Sequence, residues 1–305
     1  MQDRYLIVGV DGLIGRALRD HLRELRREVV CTTRREANTR DGAAYLDIAD
    51  AVDDWDCPDG IDVAVICASV SNLRECKENP VESARVNVEG VAEVAHRLAE
   101  RGVFIIFLSS SQVFDGTSPL RKADEARCPV TEYGRQKAET EGRIEELGER
   151  AAIVRITKIV DSSWPLLAQW REDLLAGRAV HPFADMVFSP VSLSFAISAI
   201  CRVAEDRLSG ITQVSGRTDI SYAQAAYKVA EVLGVDPSLV QPIRTSQSDV
   251  YSEPLVRHTT LDMGRLQVKL GIEPPDALET VEAALLSSQA PSEGLESLAG
   301  IFGSK

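Results

Sequence analysis

The stretch "VGVDGLIGRAL", residues 8–18, places three glycines at regular three-residue spacing. It overlaps the apolar run "RYLIVGV" (4–10), which predicts a strand, and it opens a helical pattern over 13–27. A tight glycine turn in that position lets the backbone approach a pyrophosphate, to which the helix N-terminus offers unpaired N–H groups. The pattern therefore predicts dinucleotide binding; the alternative is an ordinary strand–helix turn. The residues expected to contact the cofactor here are Gly9, Gly12, Leu13, Ile14 and Gly15.

Similar apolar runs alternate with helical patterns through the first half of the chain. Long helices are predicted at 80–101 and 131–147. Further strands are predicted at "EVVCTT" (28–33), "IDVAVICAS" (61–69), "VFIIFLSS" (103–110) and "AAIVRIT" (151–157). Near-continuous apolar strands separated by helices indicate a parallel sheet that is covered on both faces. The predicted fold class is therefore α/β, a Rossmann-type doubly wound parallel sheet with a smaller C-terminal α/β substrate lobe.

The second half of the chain has shorter elements and more helix breakers. Residues 1–158 are predicted to form the dinucleotide-binding domain, and residues 188–214 are expected to return to it. The substrate-binding lobe is assigned to 159–187 and 215–290. The last segment, 291–305, is a polar tail rich in small residues.

The composition is that of an ordinary globular protein. Of the 305 residues, 44% are hydrophobic and 27% charged, and the net charge of −13 argues against a nucleic-acid partner, which would require basic surface. No apolar run is long enough to cross a bilayer and no N-terminal leader is visible, so we expect a cytoplasmic protein without a membrane partner. The six cysteines are scattered and the four histidines isolated, so neither disulfides nor a metal site is predicted.

The end of the second predicted strand bears on the choice of dinucleotide. That strand ends in "CTTRRE", with Arg34 and Arg35 where an acidic residue would favour the free ribose of NAD. Arginines there suit the 2′-phosphate of NADP, so NADP is favoured over NAD; the alternative is that both belong to a solvated surface. Asp47 in "YLDIAD", with Ile48 beside it, is a candidate acceptor for the adenine amino group or, equally well, a loop aspartate.

The stretch "TEYGRQKAET" (131–140) places Tyr133 and Lys137 one helical turn apart. Beside a nicotinamide, the lysine would hold the ribose and stabilise phenolate character, so that the tyrosine transfers a proton with a pKa far below its usual value of about 10. The alternative is ordinary amphipathic surface. The preceding strand ends in "FLSSSQVFDG" (107–116), where a serine can donate to a substrate carbonyl or simply satisfy loop backbone groups.

Taken together, these motifs resemble the extended short-chain dehydrogenase/reductase superfamily. They are the glycine loop, "SSSQVFDG", "YGRQK" and the later "ITQVSG" and "DISYAQAAYKVAEVLG". Within that superfamily the chain is similar to the dTDP-4-dehydrorhamnose reductase-like (NAD-dependent epimerase/dehydratase) branch of sugar-nucleotide enzymes. The resemblance covers nearly all of 4–288, including "NLRECKENPVESARVNV" (72–88) and "LDMGRLQVKLGIEPP" (261–275).

The resemblance implies an NADP-dependent oxidoreductase that acts on a keto group of a nucleotide-sugar or similar carbonyl substrate. It implies Ser110 as the catalytic hydroxyl, Tyr133 as the proton donor and Lys137 as the residue that tunes it. It adds cofactor contacts on the "CAS" turn and at a structural asparagine, namely Cys67, Ala68, Ser69 and Asn87. Substrate contacts are expected from Ser69, Ser111, Gln112, Lys158 and Asp185.

The chain departs from that branch next to the proposed catalytic hydroxyl. Where those reductases carry Asp-Tyr, as in S-T-D-Y-V-F, this chain has Ser111-Gln112. Two alternatives stay open: an epimerase or dehydratase that holds NAD tightly, and a regulatory subunit that binds nucleotide without turnover. A dehydratase would want an acidic pair beside the hydroxyl, which Ser111-Gln112 does not supply. The two long helices suit a four-helix contact with a second copy, so a homodimer is a further expectation.

Overall fold

A seven-stranded parallel sheet forms the centre of the molecule. The computed structural model describes residues 2–50, 52, 55–247 and 254–287, so the tail predicted at 291–305 lies outside the described residues. In chain order the strands of the sheet are β1 (Arg4–Val8), β2 (Glu28–Thr33), β3 (Ala44–Tyr45), β4 (Val63–Ile66), β5 (Phe104–Ser110), β6 (Ala151–Ile156) and β10 (Gly210–Val214). Their spatial order is β3-β2-β1-β4-β5-β6-β10. Because this order reverses beside β1, the carboxyl ends of β1 and β4 border the crevice where such sheets bind ligands.

Helices cover both faces of this sheet. On one face lie α1 (Leu13–Glu24) and α7 (Leu193–Glu205), and on the other α4 (Val91–Glu100) and α5 (Glu132–Glu145). Successive strand residues point to opposite faces, so Ile7 packs in the first of these two cores and Leu6 in the second. The predicted Rossmann-type doubly wound sheet is confirmed.

A smaller lobe is built from short elements that follow β6. Its strands pair as two small sheets, β7 (Lys158–Val160) with β9 (Pro190–Ser192) and β8 (Val187–Phe188) with β11 (Ile220–Ser221). The helices of this region are α6 (Pro165–Leu175), α8 (Tyr222–Leu233), α9 (Gly264–Leu270) and α10 (Ala277–Ser287). Side chains of α6, α8 and α10 form a separate core, while β10 returns the chain to the main sheet beside β6. Across the described ranges, no helix combines the length and apolarity needed to cross a membrane.

The helix predicted over 80–101 is confirmed, with one local change. After a short preceding helix, α2 (Leu73–Glu78), the chain runs as α3 (Pro80–Ala84), a π-helical segment (Arg85–Gly90) and α4 without a break in helical backbone. Asn87 lies within the π-helical segment, and its amide binds the backbone of Val70 through both its oxygen and its nitrogen. Such local widening of a helix is frequent at functional sites. Here it brings a buried amide to the loop that follows β4.

Candidate active site

The glycine loop lies directly against the turn that follows β4. Gly9 has φ of +89°, and a Cβ at this position would lie 2.8 Å from the backbone of Ala68. Only glycine combines that conformation with so close an approach. The loop after β1 and the "CAS" turn therefore form one continuous wall at the carboxyl edge of the sheet.

The N-terminus of α1 is open to an anion. Its N-cap is Gly12, which supplies no side-chain hydrogen bond, and its first turn contains no acidic residue. By contrast, α5 and α8 are capped by the side chains of Thr131 and Ser221. The N–H groups of the first turn of α1, together with the positive end of the helix dipole, are thus available for a pyrophosphate. The residues present fit the predicted dinucleotide.

A cavity of about 210 Å³ lies beside this loop. Most of the side chains predicted to contact the cofactor share its wall: Gly9, Gly12, Arg34, Arg35, Asp47, Ile48, Cys67, Ala68 and Ser69. Leu13, Ile14 and Gly15 form the first turn of α1 instead of the wall. Residues from four separate parts of the sequence therefore lie together at one cavity, as their motifs predicted. Their role as cofactor ligands stays a prediction.

Asn87 is placed differently from the sequence-based expectation. Its side chain is fully buried and does not line the cavity. Its amide oxygen accepts from the Ser69 hydroxyl at 2.9 Å and from the Val70 N–H at 2.8 Å, and its nitrogen donates to Gln136 at 2.7 Å. Asn87 therefore fixes the turn that carries Ser69, and its direct contact with a cofactor stays a prediction.

The cavity wall also contains an acidic residue that sequence analysis missed. The Asp11 carboxylate accepts from the Thr33 hydroxyl at 2.6 Å and from the Asn38 side-chain amide at 2.5 Å. It shares the wall with Arg34 and Arg35, which are both exposed. A carboxylate there repels the 2′-phosphate of NADP and can accept a hydrogen bond from the ribose hydroxyl of NAD. Asp11 therefore favours NAD, whereas the two arginines favour NADP. The signal was present in the sequence, but in the glycine loop and not at the end of the second strand.

Replacing Asp11 by asparagine should shift the cofactor preference towards NADPH. The amide keeps an acceptor oxygen for Thr33 and removes the charge. We expect the ratio of NADPH to NADH affinity to rise roughly tenfold, equivalent to about 1.4 kcal/mol. Fluorescence titration with both cofactors measures it. The control is Asp50→Asn, which changes an exposed carboxylate close to Asp47 in the sequence. An unchanged ratio of affinities in Asp11→Asn would show that the Asp11 carboxylate does not face the ribose.

Tyr133 and Lys137 lie at the same edge of the sheet, on the first turns of α5. The Ser69 hydroxyl, which donates to the Asn87 amide oxygen, lies close enough to Tyr133 to lower the pKa of the phenol. The Lys137 ammonium is buried, donates to the Leu108 carbonyl at 3.0 Å and lies 5.7 Å from the centroid of the Tyr133 ring. The tyrosine is thus joined to the cavity wall through Ser69, and the lysine lies one helical turn behind it.

Ser110 ends β5, and the turn that follows it lies close to the same helix. A Cβ on Gly134 would lie 2.1 Å from the Gln112 carbonyl oxygen, so a glycine after the tyrosine allows α5 to close on this turn. The Ser110 Oγ accepts from the Gln112 N–H at 3.2 Å. Leu108, which binds Lys137, precedes Ser110 by about 7 Å along the strand. Over the described residues, no hydrogen bond joins the Ser110 and Tyr133 side chains directly.

Without a bound cofactor, the surroundings of Tyr133 act mainly against the phenolate, and the low pKa expected beside a nicotinamide stays a prediction. Burial raises the pKa of Tyr133 above its usual 10, the nearby Cys76 thiol adds to the rise, and the hydrogen bond with Ser69 acts in the opposite direction. The Lys137 ammonium donates to the Leu108 carbonyl and is itself desolvated. Burial lowers the pKa of Lys137 to about 8, against the favourable charge of Glu141. Burial therefore favours the neutral form of the Tyr133 phenol.

The lowered pKa of Lys137 predicts a pH-dependent stability difference. Between the folded pKa of about 8 and the unfolded value near 10.5, the folded protein binds fewer protons, so its stability rises with pH. Relative to Lys137→Met, the wild type should gain about 2–3 kcal/mol in free energy of unfolding between pH 7 and pH 10. Urea unfolding at both pH values measures this difference. Lys269→Met, which changes an exposed position, is the control, and its stability relative to the wild type should not depend on pH. If the stability difference between the wild type and Lys137→Met is the same at both pH values, the ammonium of Lys137 is not desolvated.

Residues 3–289 match the family model described as the RmlD substrate binding domain. The chain belongs to this family. Among curated relatives, a probable low-salt glycan biosynthesis reductase, Agl14, of Haloferax volcanii is 25% identical over 296 residues, covering 91% of this chain and 97% of the relative. Methionine adenosyltransferase 2 subunit beta of Bos taurus is 27% identical over 288 residues, with 88% and 83% covered. Overall identity therefore does not separate a reductase from a subunit of another enzyme.

Solved structures share the fold of this RmlD-family chain. A dTDP-4-dehydrorhamnose reductase from Bacillus anthracis, in complex with NADP, matches with a TM-score of 0.80 at 18% identity, covering 94% of this chain and 100% of that one. MoeE5 in complex with UDP-glucose and NAD matches with a TM-score of 0.74 at 19% identity, covering 93% and 97%. Both dinucleotides thus occur among structures of this fold.

The predicted substrate residues of this RmlD-family chain lie in different surroundings. Ser111 and Gln112 form a short 3-10 turn after β5. The Asp185 carboxylate accepts from the backbone N–H of Thr245 at 2.9 Å and from its hydroxyl at 3.0 Å, so it is engaged within the lobe. Lys158 is exposed where the sheet meets the lobe. Their contacts with substrate stay predictions.

Proposed function

We propose that the chain is an NADP-dependent reductase of the short-chain dehydrogenase/reductase type, acting on a keto group of a nucleotide-linked sugar. One observation carries the proposal. Ser69 lines the cavity beside the glycine loop, and its hydroxyl lies close enough to the Tyr133 phenol to lower the pKa of that group. A proton donor therefore lies against the wall that fits a dinucleotide, which is the placement that carbonyl reduction requires.

When bound, the dinucleotide supplies the hydride, and this chain supplies the proton. Tyr133, neutral because burial raises its pKa, donates its hydroxyl proton to the carbonyl oxygen as charge develops there. The Ser110 Oγ accepts from the Gln112 N–H, which leaves its own proton free to donate to the same oxygen. Two donors directed at a developing alkoxide stabilise it more than the starting ketone.

Lys137 acts from behind the phenol. Its burial and its bond to the Leu108 carbonyl fix the ammonium relative to the strand that ends at Ser110. With a pKa of about 8 it carries its charge in most molecules at neutral pH. A positive charge 5.7 Å from the Tyr133 ring favours proton release as the reaction proceeds.

The test is an assay of the purified chain with NADPH and nucleotide-linked 4-keto sugars, dTDP-4-dehydrorhamnose included. Consumption of NADPH with formation of the alcohol supports the proposal. Interconversion of sugar epimers without net use of cofactor would support the epimerase alternative. Tight cofactor binding without turnover of any keto sugar would support the regulatory alternative, which the methionine adenosyltransferase relative illustrates. A cytoplasmic location and a homodimer stay predictions of the sequence.

A further inference from the structure

Lys158 lies beside the proposed reaction site, at the junction of sheet and lobe. It follows β6 by two residues, and the last residue of β6, Ile156, pairs in register with Ser110. On the other side it begins β7, where it pairs with Pro190 of the lobe. Its side chain therefore starts at the carboxyl edge of the sheet, where β7 leads from β6 into the lobe.

The Lys158 ammonium has no acidic neighbour within the described ranges. The ammonium lies over the Trp164 indole, 5.5 Å from the ring centroid. Although the residue is exposed, the surrounding protein desolvates the amine and lowers its pKa, with no carboxylate acting against that shift. Three N–H donors with a positive charge are thus presented without a counter-ion.

Trp164 holds the lysine in a defined place. Its ring makes edge-to-face contacts with Trp170, Phe188 and Tyr222 at centroid distances of 6.0, 5.6 and 6.1 Å. This cluster belongs to the core of the lobe, so the indole is fixed by packing. A cation resting on a fixed aromatic face loses less conformational freedom when it binds an anion.

We infer that Lys158 is a specificity-determining residue that binds an oxyanion of the substrate. The inference rests on the proposed function, since it needs a substrate that reaches from Ser110 towards the lobe. Two parts of a nucleotide-linked sugar offer this chemistry, the diphosphate and a carboxylate on the sugar. Either would form a charge-assisted hydrogen bond with an ammonium that has no other ionic partner in the described part of the chain.

The experiment measures equilibrium binding by calorimetry for the wild type, Lys158→Met and Lys158→Arg. Methionine keeps an unbranched stem on Trp164 and removes the charge, whereas arginine restores it. The probes are UDP and dTDP against uridine and thymidine, and UDP-glucuronic acid against UDP-glucose. Lys269→Met, another exposed lysine far along the chain, is the matched control and should bind every probe as the wild type does.

The two sources of the anion give different patterns. If the diphosphate binds Lys158, Lys158→Met should lower the affinity for UDP or dTDP about 10- to 100-fold and leave the affinity for the nucleosides unchanged. Lys158→Arg should then recover most of the lost affinity. If a sugar carboxylate binds Lys158 instead, only the affinity for UDP-glucuronic acid should fall. The inference is overturned if Lys158→Met binds each probe with the same affinity as the wild type. It is also overturned if the wild type binds none of the probes. Because no cofactor or turnover is involved, failure of the reductase proposal would appear separately, in the NADPH assay.

Discussion

A Tyr133→Phe variant should lose turnover of any identified keto substrate by about 10²- to 10⁴-fold, while its cofactor affinity changes little. The phenol is the proposed proton source, and removal of a general acid typically has an effect of this size. Phenylalanine keeps the ring that lies 5.7 Å from the Lys137 ammonium and loses only the hydroxyl that meets Ser69. The loss should therefore appear in kcat, with KM for NADPH near that of the wild type.

The matched control is Tyr227→Phe. This tyrosine is 42% exposed on α8, and its hydroxyl makes only a long contact of 3.4 Å with the Val240 carbonyl. Its turnover should equal that of the wild type. Retention of full activity by Tyr133→Phe would remove the proposed mechanism, and equal loss in both variants would point to a general effect on folding.

The wall of the cofactor cavity was largely predictable from sequence because it follows from local rules. A glycine turn between strand and helix, two arginines at a strand end and a "CAS" turn each lie at the carboxyl end of a parallel strand, and such ends share one edge of the sheet. Asp11 escaped prediction because its effect depends on Thr33 and Asn38, which its carboxylate binds across the loop. Local pattern does not show which way a loop carboxylate turns.

The π-helical widening before α4 and the short strands of the lobe were not predicted, for a related reason. Apolar periodicity over 80–101 is the same for a continuous helix and for one widened by a π-helical segment. The widening coincides with hydrogen bonds from Asn87 to Val70, which lies on a different loop. Strands of two or three residues, such as β8 and β11, are defined by their pairing partners and carry no periodicity of their own.

The pKa of Tyr133 shows the limit of reading a site from residue types. The i, i+4 spacing correctly places Lys137 on the same face of α5. It does not reveal that the ammonium donates to the Leu108 carbonyl, or that burial affects both groups. Desolvation works against the charged form of each, raising the pKa of the acid and lowering that of the base. The phenol of Tyr133 is therefore kept neutral, which suits proton donation in the direction of reduction, while Lys137, with a pKa of about 8, stays mostly charged at neutral pH.

One further turn along α5, a buried ion pair joins the helix to the sheet. Glu141 and Arg155 are 0% and 1% exposed, and the guanidinium donates to both carboxylate oxygens, at 2.9 and 2.7 Å. The Ser109 hydroxyl donates to the same carboxylate at 2.6 Å, and Arg127 approaches it at 3.2 Å. The remaining Arg155 nitrogen donates to Gln213 of β10 at 3.3 Å. The network thus joins α5, β5, β6 and β10 directly behind Lys137.

Glu141→Gln should lower the free energy of unfolding by about 3–5 kcal/mol, because it leaves the Arg155 charge buried without its partner. Glu139→Gln, an exposed position on the same helix with surface ion pairs to Arg135 and Arg143, should change it by less than about 1 kcal/mol. Urea unfolding measures both, and the double variant Glu141→Met, Arg155→Met should recover most of the loss by removing the stranded charge. Glu141 favours the ammonium form of Lys137, so its replacement should lower the pKa of Lys137. As the pH is raised, any residual activity of Glu141→Gln should therefore be lost at a lower pH than the activity of the wild type. If Glu141→Gln lowers the free energy of unfolding no more than Glu139→Gln does, then Glu141 and Arg155 do not join helix and sheet as an ion pair.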